Sequence, residues 1–164
     1  MKYYTIMIND EEVTNLAKRI VKTFSKGGKV MVAGNGGSCA DSMHFVAELV
    51  CTYKDSKRKG FPALCLNVNP SVMTAWANDY NYEGIFARQI EALGQENDLF
   101  IGISTSGKSK NILEAVRMCK SKHISTYLIT GKMFRIKSTP RIQEHTITFI
   151  HEVCDLVERM MKCN

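Results

Sequence analysis

His44 and Glu48 stand four residues apart in a segment, Ser38 to about Cys51, whose apolar residues recur at helical spacing. That spacing puts both on one helix face, with Cβ atoms roughly 5–6 Å apart. Gln143 and His151 lie eight residues apart near the end of the chain, a little over two helical turns, and also share a face. Two helices thus each present an imidazole and a carboxylate or amide. Four such side chains can converge as an acid/base pair or as a nitrogen/oxygen metal site. Taken alone they can equally be solvated surface pairs, and spacing does not choose.

Two short turns add a ligand class. Gly34-Asn35-Gly36-Gly37-Ser38 follows the apolar run Lys29–Ala33, and Ser104-Thr105-Ser106-Gly107-Lys108-Ser109 follows the apolar run Leu99–Ile103. Each reads as strand, Gly/Ser-rich turn, helix, which is where an open parallel sheet holds its ligand. In the second turn Ser104, Thr105, Ser106 and Ser109 offer hydroxyls beside a helix N-terminus, whose N–H groups and positive dipole end suit a phosphate. We read neither turn as a nucleotide loop. The second is read as lacking the Walker A spacing GxxxxGK[ST], and the first is not GxGxxG, because Gly34, Gly36 and Gly37 are misplaced for it. A sugar phosphate is the ligand this pair suggests.

The elements that must carry these residues alternate. A helix opens at Asp10, read as its N-cap, and is stopped by Gly27-Gly28. Strands are expected at Lys29–Ala33, Pro62–Leu66, Asp98–Ile103 and Ser125–Ile129. Helices are expected from Ser38 to about Cys51, from Pro70 through Trp76, over Ile85–Leu93, from Ser109 to about Lys122, and from about Pro140 to Met161. Asn78–Tyr82 reads as a turn. This alternation predicts an α/β fold, a doubly wound parallel sheet flanked by helices.

The chain has 164 residues, enough for one domain, 1–164, with an N-terminal helical segment over 1–26. Apolar content of 45% and charged content of 23% are those of a soluble globular protein. The net charge of +6 is spread out. Its densest run, Lys54–Lys59, has only Tyr53 beside it as an aromatic, so it reads as a solvated loop and no nucleic-acid partner is expected. Six cysteines form no CxxC pair, and no apolar run approaches a membrane span. No membrane association and a cytoplasmic location with reduced thiols are expected.

These blocks, in this order, resemble the sugar isomerase (SIS) domain, and within it the phosphoheptose isomerases. The blocks are Gly34–Ser38 with His44-Phe45 and Glu48, Asn78-Asp79-Tyr80, Gly102–Gly107 with Ser109, and Arg141-Ile142-Gln143-Glu144 with His151. They span roughly Lys26 to the C-terminus. The resemblance implies a five-stranded parallel sheet, a homotetramer with active sites at subunit interfaces, and conversion of sedoheptulose 7-phosphate to D-glycero-D-manno-heptose 7-phosphate for surface polysaccharides such as lipopolysaccharide. By the same resemblance Asn35, Gly36, Gly37 and Ser38 line the substrate turn, and Asn78 and Asp79 contact the sugar. Ser104, Thr105, Ser106 and Ser109 hold the phosphate. Glu48 and His151 match the base and acid of an enediol isomerisation. His44, Glu48, Gln143 and His151 match a zinc site found in members of the family.

Three departures from the family stand out. Thr52 occupies a position where many members carry Arg. Only about twenty-five residues precede the first strand, where the family has a longer helix. Nine residues separate Gly131 from Arg141, where the family has a longer connection that includes a strand, so a fifth strand is expected only in shortened form. Two further readings compete: a non-catalytic relative that binds the replication initiator, and an isomerase of another sugar phosphate. Retention of Ser106 and His151 favours an enzyme over the first.

Overall fold

The computed structural model of the chain describes residues 9–162. Residues 1–8 of the expected N-terminal segment, and Cys163, lie outside them. Helix α1 spans Asp10–Ser25 and is capped by Asn9, whose side chain accepts from the Glu11 N–H at 3.0 Å. The expected cap, Asp10, instead joins Glu11 and Glu12 in the first turn, where negative charge meets the positive end of the helix dipole.

The remaining elements follow in chain order. They are β1 (Val30–Gly34), α2 (Gly37–Val50), β2 (Ala63–Cys65), α3 (Pro70–Asp79), α4 (Ile85–Leu93), β3 (Leu99–Ile103), α5 (Lys110–Ser121), β4 (Ser125–Ile129), α6 (Gly131–Phe134) and α7 (Thr139–Lys162). The four strands form one parallel sheet in the order β2-β1-β3-β4. In register, Val30 faces Leu99 and Leu99 faces Ser125.

Strand side chains alternate between faces, and the two faces build separate cores. Val30, Val32, Leu99 and Ile101 pack under α1, α2 and α7 with Leu16, Ile20, Phe45, Phe149 and Val153. Met31, Ala33 and Phe100 pack under α4 and α5 with Phe86, Ile90, Ile112 and Ala115. The sheet is therefore doubly wound, and burial on both faces is why β1 and β3 are continuous apolar runs.

The sheet has four strands among the described residues. Where a shortened fifth would fall, the chain instead makes α6 and an irregular link through Arg135, whose φ is +56°. Nine residues are too few to return to the sheet edge, pair, and still reach α7. The expected turn at Asn78–Tyr82 begins later than read: Asn78 and Asp79 are the last residues of α3, and Tyr80 stacks on Trp76 one turn earlier at 4.2 Å between ring centroids.

Candidate active site

β1 and β3 are neighbours at the centre of the sheet, and the chain leaves them in opposite directions, toward β2 and toward β4. Their C-terminal ends thus form the topological switch point, the crevice in which open α/β sheets bind ligands. Both Gly/Ser turns sit there. Gly36 takes φ +56°, a conformation that favours glycine, and lets the backbone turn into α2. Neither Gly36 nor Ser109 caps its helix with a side chain, although the Ser38 and Cys39 N–H groups already donate to Asn35 O and Gly36 O and the Ile112 N–H to Asn111 Oδ1.

Ser109 precedes α5 without capping it. Its Oγ lies 2.9 Å from Ser104 Oγ, across a turn closed by the Gly107 N–H donating to Ser104 O. Ser106 Oγ accepts from the Lys108 N–H at 3.1 Å. The hydroxyls expected to meet phosphate are thus gathered on one short turn. One part of the sequence reading needs correction. Gly102–Ser109 does match the letters GxxxxGKS, so the pattern is present. The fold explains why it is not that loop: Gly102 is a strand residue paired with Leu128, and α5 starts only after Ser109. The first glycine of the pattern is thus part of the strand, and Lys108 and Ser109 lie outside the helix that they would open in a P-loop.

The two turns are tied together by a residue that periodicity does not reveal. Asn111 is buried in the first turn of α5 and exchanges two amide hydrogen bonds of 2.8 Å with Asn35. Tyr82 adds its hydroxyl to Asn35 Oδ1 at 3.1 Å. A polar residue near a helix start looks like ordinary surface in a sequence. Only the adjacency of β1 and β3 makes Asn111 a partner for the first turn.

On α2, Phe45 and Leu49 enter the core with no more than 1% exposure. His44 and Glu48, each one residue earlier, lie about 100° around the helix and line its half-exposed rim. α7 packs against α2 and buries Phe149, Ile150 and Val153, which carries His151 to the same rim. His44 Nε2 and His151 Nε2 are 2.9 Å apart, and His44 Nε2 is 3.3 Å from Glu48 Oε1. Tyr53 stacks on the His151 ring at 5.6 Å between centroids, a wall the sequence reading missed. Asp41, one turn before His44, has a buried Oδ2 with no hydrogen-bond partner. Burial pushes its carboxyl up to about 6, and His44 pulls it partly back.

Gln143 stands elsewhere on α7. A Cβ placed on Gly37 would lie 1.8 Å from Gln143 Nε2, so the end of the Gln143 side chain packs directly onto the first turn. It precedes His151 by roughly 12 Å of helix rise. Asn78 and Asp79 are exposed and bond to each other at 2.9 Å. The second turn also has cations that the sequence reading did not assign: Thr105 and Ser106 line a groove with Lys132, Arg135 and Lys137. The Gly131 N–H donates to Thr105 O at 3.0 Å and holds α6 against the turn.

His44, Glu48 and His151 can place one donor atom each within 4.8 Å of one another. Two imidazole nitrogens and a carboxylate oxygen are donors that zinc accepts, so these residues fit the metal the fold family implies. The cysteines do not compete for that role. Burial pushes the Cys119 thiol up to about 12, with Asp98 adding to it, and Cys154 is raised further, so both behave as core residues.

Comparisons with known proteins show the family of the chain. A model of the SIS domain family matches residues 5–131. The phosphoheptose isomerase of Helicobacter pylori (strain ATCC 700392 / 26695) is 45% identical over 153 residues, covering 85% of this chain and 79% of the relative. That of Aneurinibacillus thermoaerophilus is 43% identical over 169 residues, covering 93% and 85%. The solved structure of phosphoheptose isomerase from Neisseria gonorrhoeae superposes with a TM-score of 0.82 at 32% identity, covering 91% of this chain and 86% of that one.

Proposed function

The chain belongs to the phosphoheptose isomerases of the SIS-domain family, and on that premise we propose that it converts sedoheptulose 7-phosphate to D-glycero-D-manno-heptose 7-phosphate at the rim between α2 and α7. The observation that carries this reading is the convergence of His44, Glu48 and His151 within 4.8 Å.

The phosphate sits on the Ser104–Ser109 turn, where hydroxyls and the N-terminus of α5 bind it without a buried cation. The sugar extends along the first turn, lined by Asn35, Gly36, Gly37 and Ser38, with Gln143, Asn78 and Asp79 as further contacts. Glu48 removes a proton from C1 of the ketose. The electron pair left on C1 forms the C1–C2 double bond of an enediol, while His151 protonates the C2 oxygen. Glu48 then returns its proton to C2 while His151 takes the O1 proton, giving the aldose and restoring both groups. The same carboxylate serves both carbons, so no proton is consumed overall.

Zinc held by His44, Glu48 and His151 would polarise the carbonyl and orient the hydroxyls; Gln143, expected as a fourth ligand, packs against Gly37 instead. The exposed face of α2 reads Ala40, Met43, Ala47 and Val50, an apolar stripe that supports self-association. We read the assembly as a homotetramer. The substrate is a charged sugar phosphate, which fits a cytoplasmic enzyme supplying surface polysaccharide synthesis. No described helix is long and apolar enough to cross a membrane.

The test is incubation with sedoheptulose 7-phosphate, following the aldose heptose 7-phosphate, with and without added zinc. Turnover is expected. Its absence under both conditions overturns the reading, and a panel of other ketose phosphates measures how strictly the sugar is chosen.

A further inference from the structure

The basic run Lys54–Lys59 is not simply a solvated loop. Arg58 leaves it and is buried, its side chain only 8% exposed, against Glu158 of α7, only 5% exposed. Arg58 Nε donates to Glu158 Oε1 at 2.6 Å. The other guanidinium nitrogens donate to the main-chain carbonyls of Glu48 and Leu49, at the C-terminal end of α2. Helix ends leave such carbonyls without internal partners, so Arg58 acts as the cap of α2. Glu158 accepts three further bonds of 2.9–3.0 Å, from the N–H groups of Tyr53, Lys54 and Asp55.

These contacts form a closed circuit around the site. Glu158 and His151 are seven residues apart on α7, close to one face. Glu158 fixes the backbone of Tyr53, and the Tyr53 ring stacks on His151. Arg58 fixes the carbonyl of Glu48, whose side chain faces His44, which in turn meets His151. Burial opposes the Glu158 charge, but Arg58 and the three N–H donors outweigh it and hold the carboxyl below its ordinary range. The charge is therefore retained where only this constellation can satisfy it.

We propose that Arg58 and Glu158 are positioning residues, which lock the register of α2 against α7 and so set the spacing of His44, Glu48 and His151. Neither touches substrate. An apolar pair of similar volume can maintain a core, but it cannot hold two carbonyls and three N–H groups at once. Arg58→Lys also fails, because an ammonium lacks the planar fork that reaches Glu158 and both carbonyls. The inference rests on the isomerase reading for its kinetic readout only.

The experiment compares the full chain with Glu158→Gln, Arg58→Lys and the paired Arg58→Met/Glu158→Leu variant, which leaves no stranded charge. The imidazole Hε1–Cε1 resonances of His44 and His151 are recorded in the metal-free proteins, alongside melting curves and kinetics. We expect both resonances to move in every folded variant, and kcat to fall ~10–100-fold with KM changed less than about threefold. Glu158→Asp should recover part of kcat. If Glu158→Gln does not fold, the paired variant decides. A folded variant with unshifted resonances and unchanged kcat overturns the proposal. Shifted resonances in a protein that never isomerises the heptose phosphate uphold the positioning role and reject the isomerase reading instead.

Discussion

His44 and His151 meet Nε2 to Nε2 at 2.9 Å, from helices that start about a hundred residues apart in the chain. At that distance one ring must donate its Nε2–H and the other must accept it. The pair is thus an asymmetric proton holder with Glu48 beside it, as an acid/base site requires. Glu48→Gln keeps the shape and removes the base, so turnover should fall ~10²–10⁴-fold. His151→Gln should fall by a similar factor, and the double variant by little more than either, because the two act on one proton path. Melting curves should barely change, since both side chains lie on the half-exposed rim. Steady-state kinetics on the three variants check this, and additive losses would separate the two residues.

The second turn should act on binding more than on chemistry. Phosphate is held equally in substrate and transition state, so Ser104→Ala or Ser109→Ala should raise KM ~5–10-fold, worth about 1–1.5 kcal/mol, at nearly constant kcat. Each loses half of the 2.9 Å hydroxyl pair. Initial rates over a substrate series measure the split.

The groove cations should show themselves through salt. Arg135→Gln with Lys137→Gln should weaken competitive inhibition by inorganic phosphate ~3–10-fold at low ionic strength, and the difference should fade as the Debye length shortens toward ~3 Å at 1 M salt. Equal inhibition of both proteins at low salt would remove these cations from the site.

Much of this site can be read from residue order. Strands β1 and β3 announce themselves as apolar runs, and the turns after them carry Gly36 and Ser104–Ser109 at the positions the fold requires. The i, i+4 pair of α2 is legible because Phe45 and Leu49 mark the buried face one residue on. What stays hidden is pairing across the chain. Asn111 looks like ordinary helix-start polarity until strand order places it beside Asn35. Arg58 looks like one more charge in a basic loop until Glu158, a hundred residues later, arrives from α7. The match of Gly102–Ser109 to a P-loop pattern shows the converse: spacing can agree while the strand boundary rules the motif out.

The Asn35–Asn111 exchange should be stabilising as well as organising. Asn111→Leu keeps the branching at Cγ but leaves the Asn35 amide without its two 2.8 Å bonds, at about 1–3 kcal/mol. The variant should melt several degrees lower and show a raised KM, because the first turn loses its tie to α5. Thermal unfolding and kinetics on the same preparation test both halves of that statement.

Asp41 provides a pH dependence whose sign is fixed. Its carboxyl is raised by burial from an ordinary 3.8 to about 6 in the folded chain. A group raised on folding contributes stability that is fully present below its unfolded pKa and lost as pH climbs through the folded value. Between about pH 4 and 6 the unfolded chain gives up this proton while the folded chain keeps it, so folding becomes less favourable. Above 6 the folded protein carries an ionised carboxylate whose Oδ2 has no partner. Asp41→Asn removes that charge. The variant should match the parent near pH 3.5 and gain stability steadily to about pH 7, by about 1 kcal/mol once partial solvent access is allowed for. Denaturant titrations at pH 4, 5, 6 and 7 read the difference directly. A gain that is flat with pH would mean that the carboxyl is not held protonated by its burial on α2.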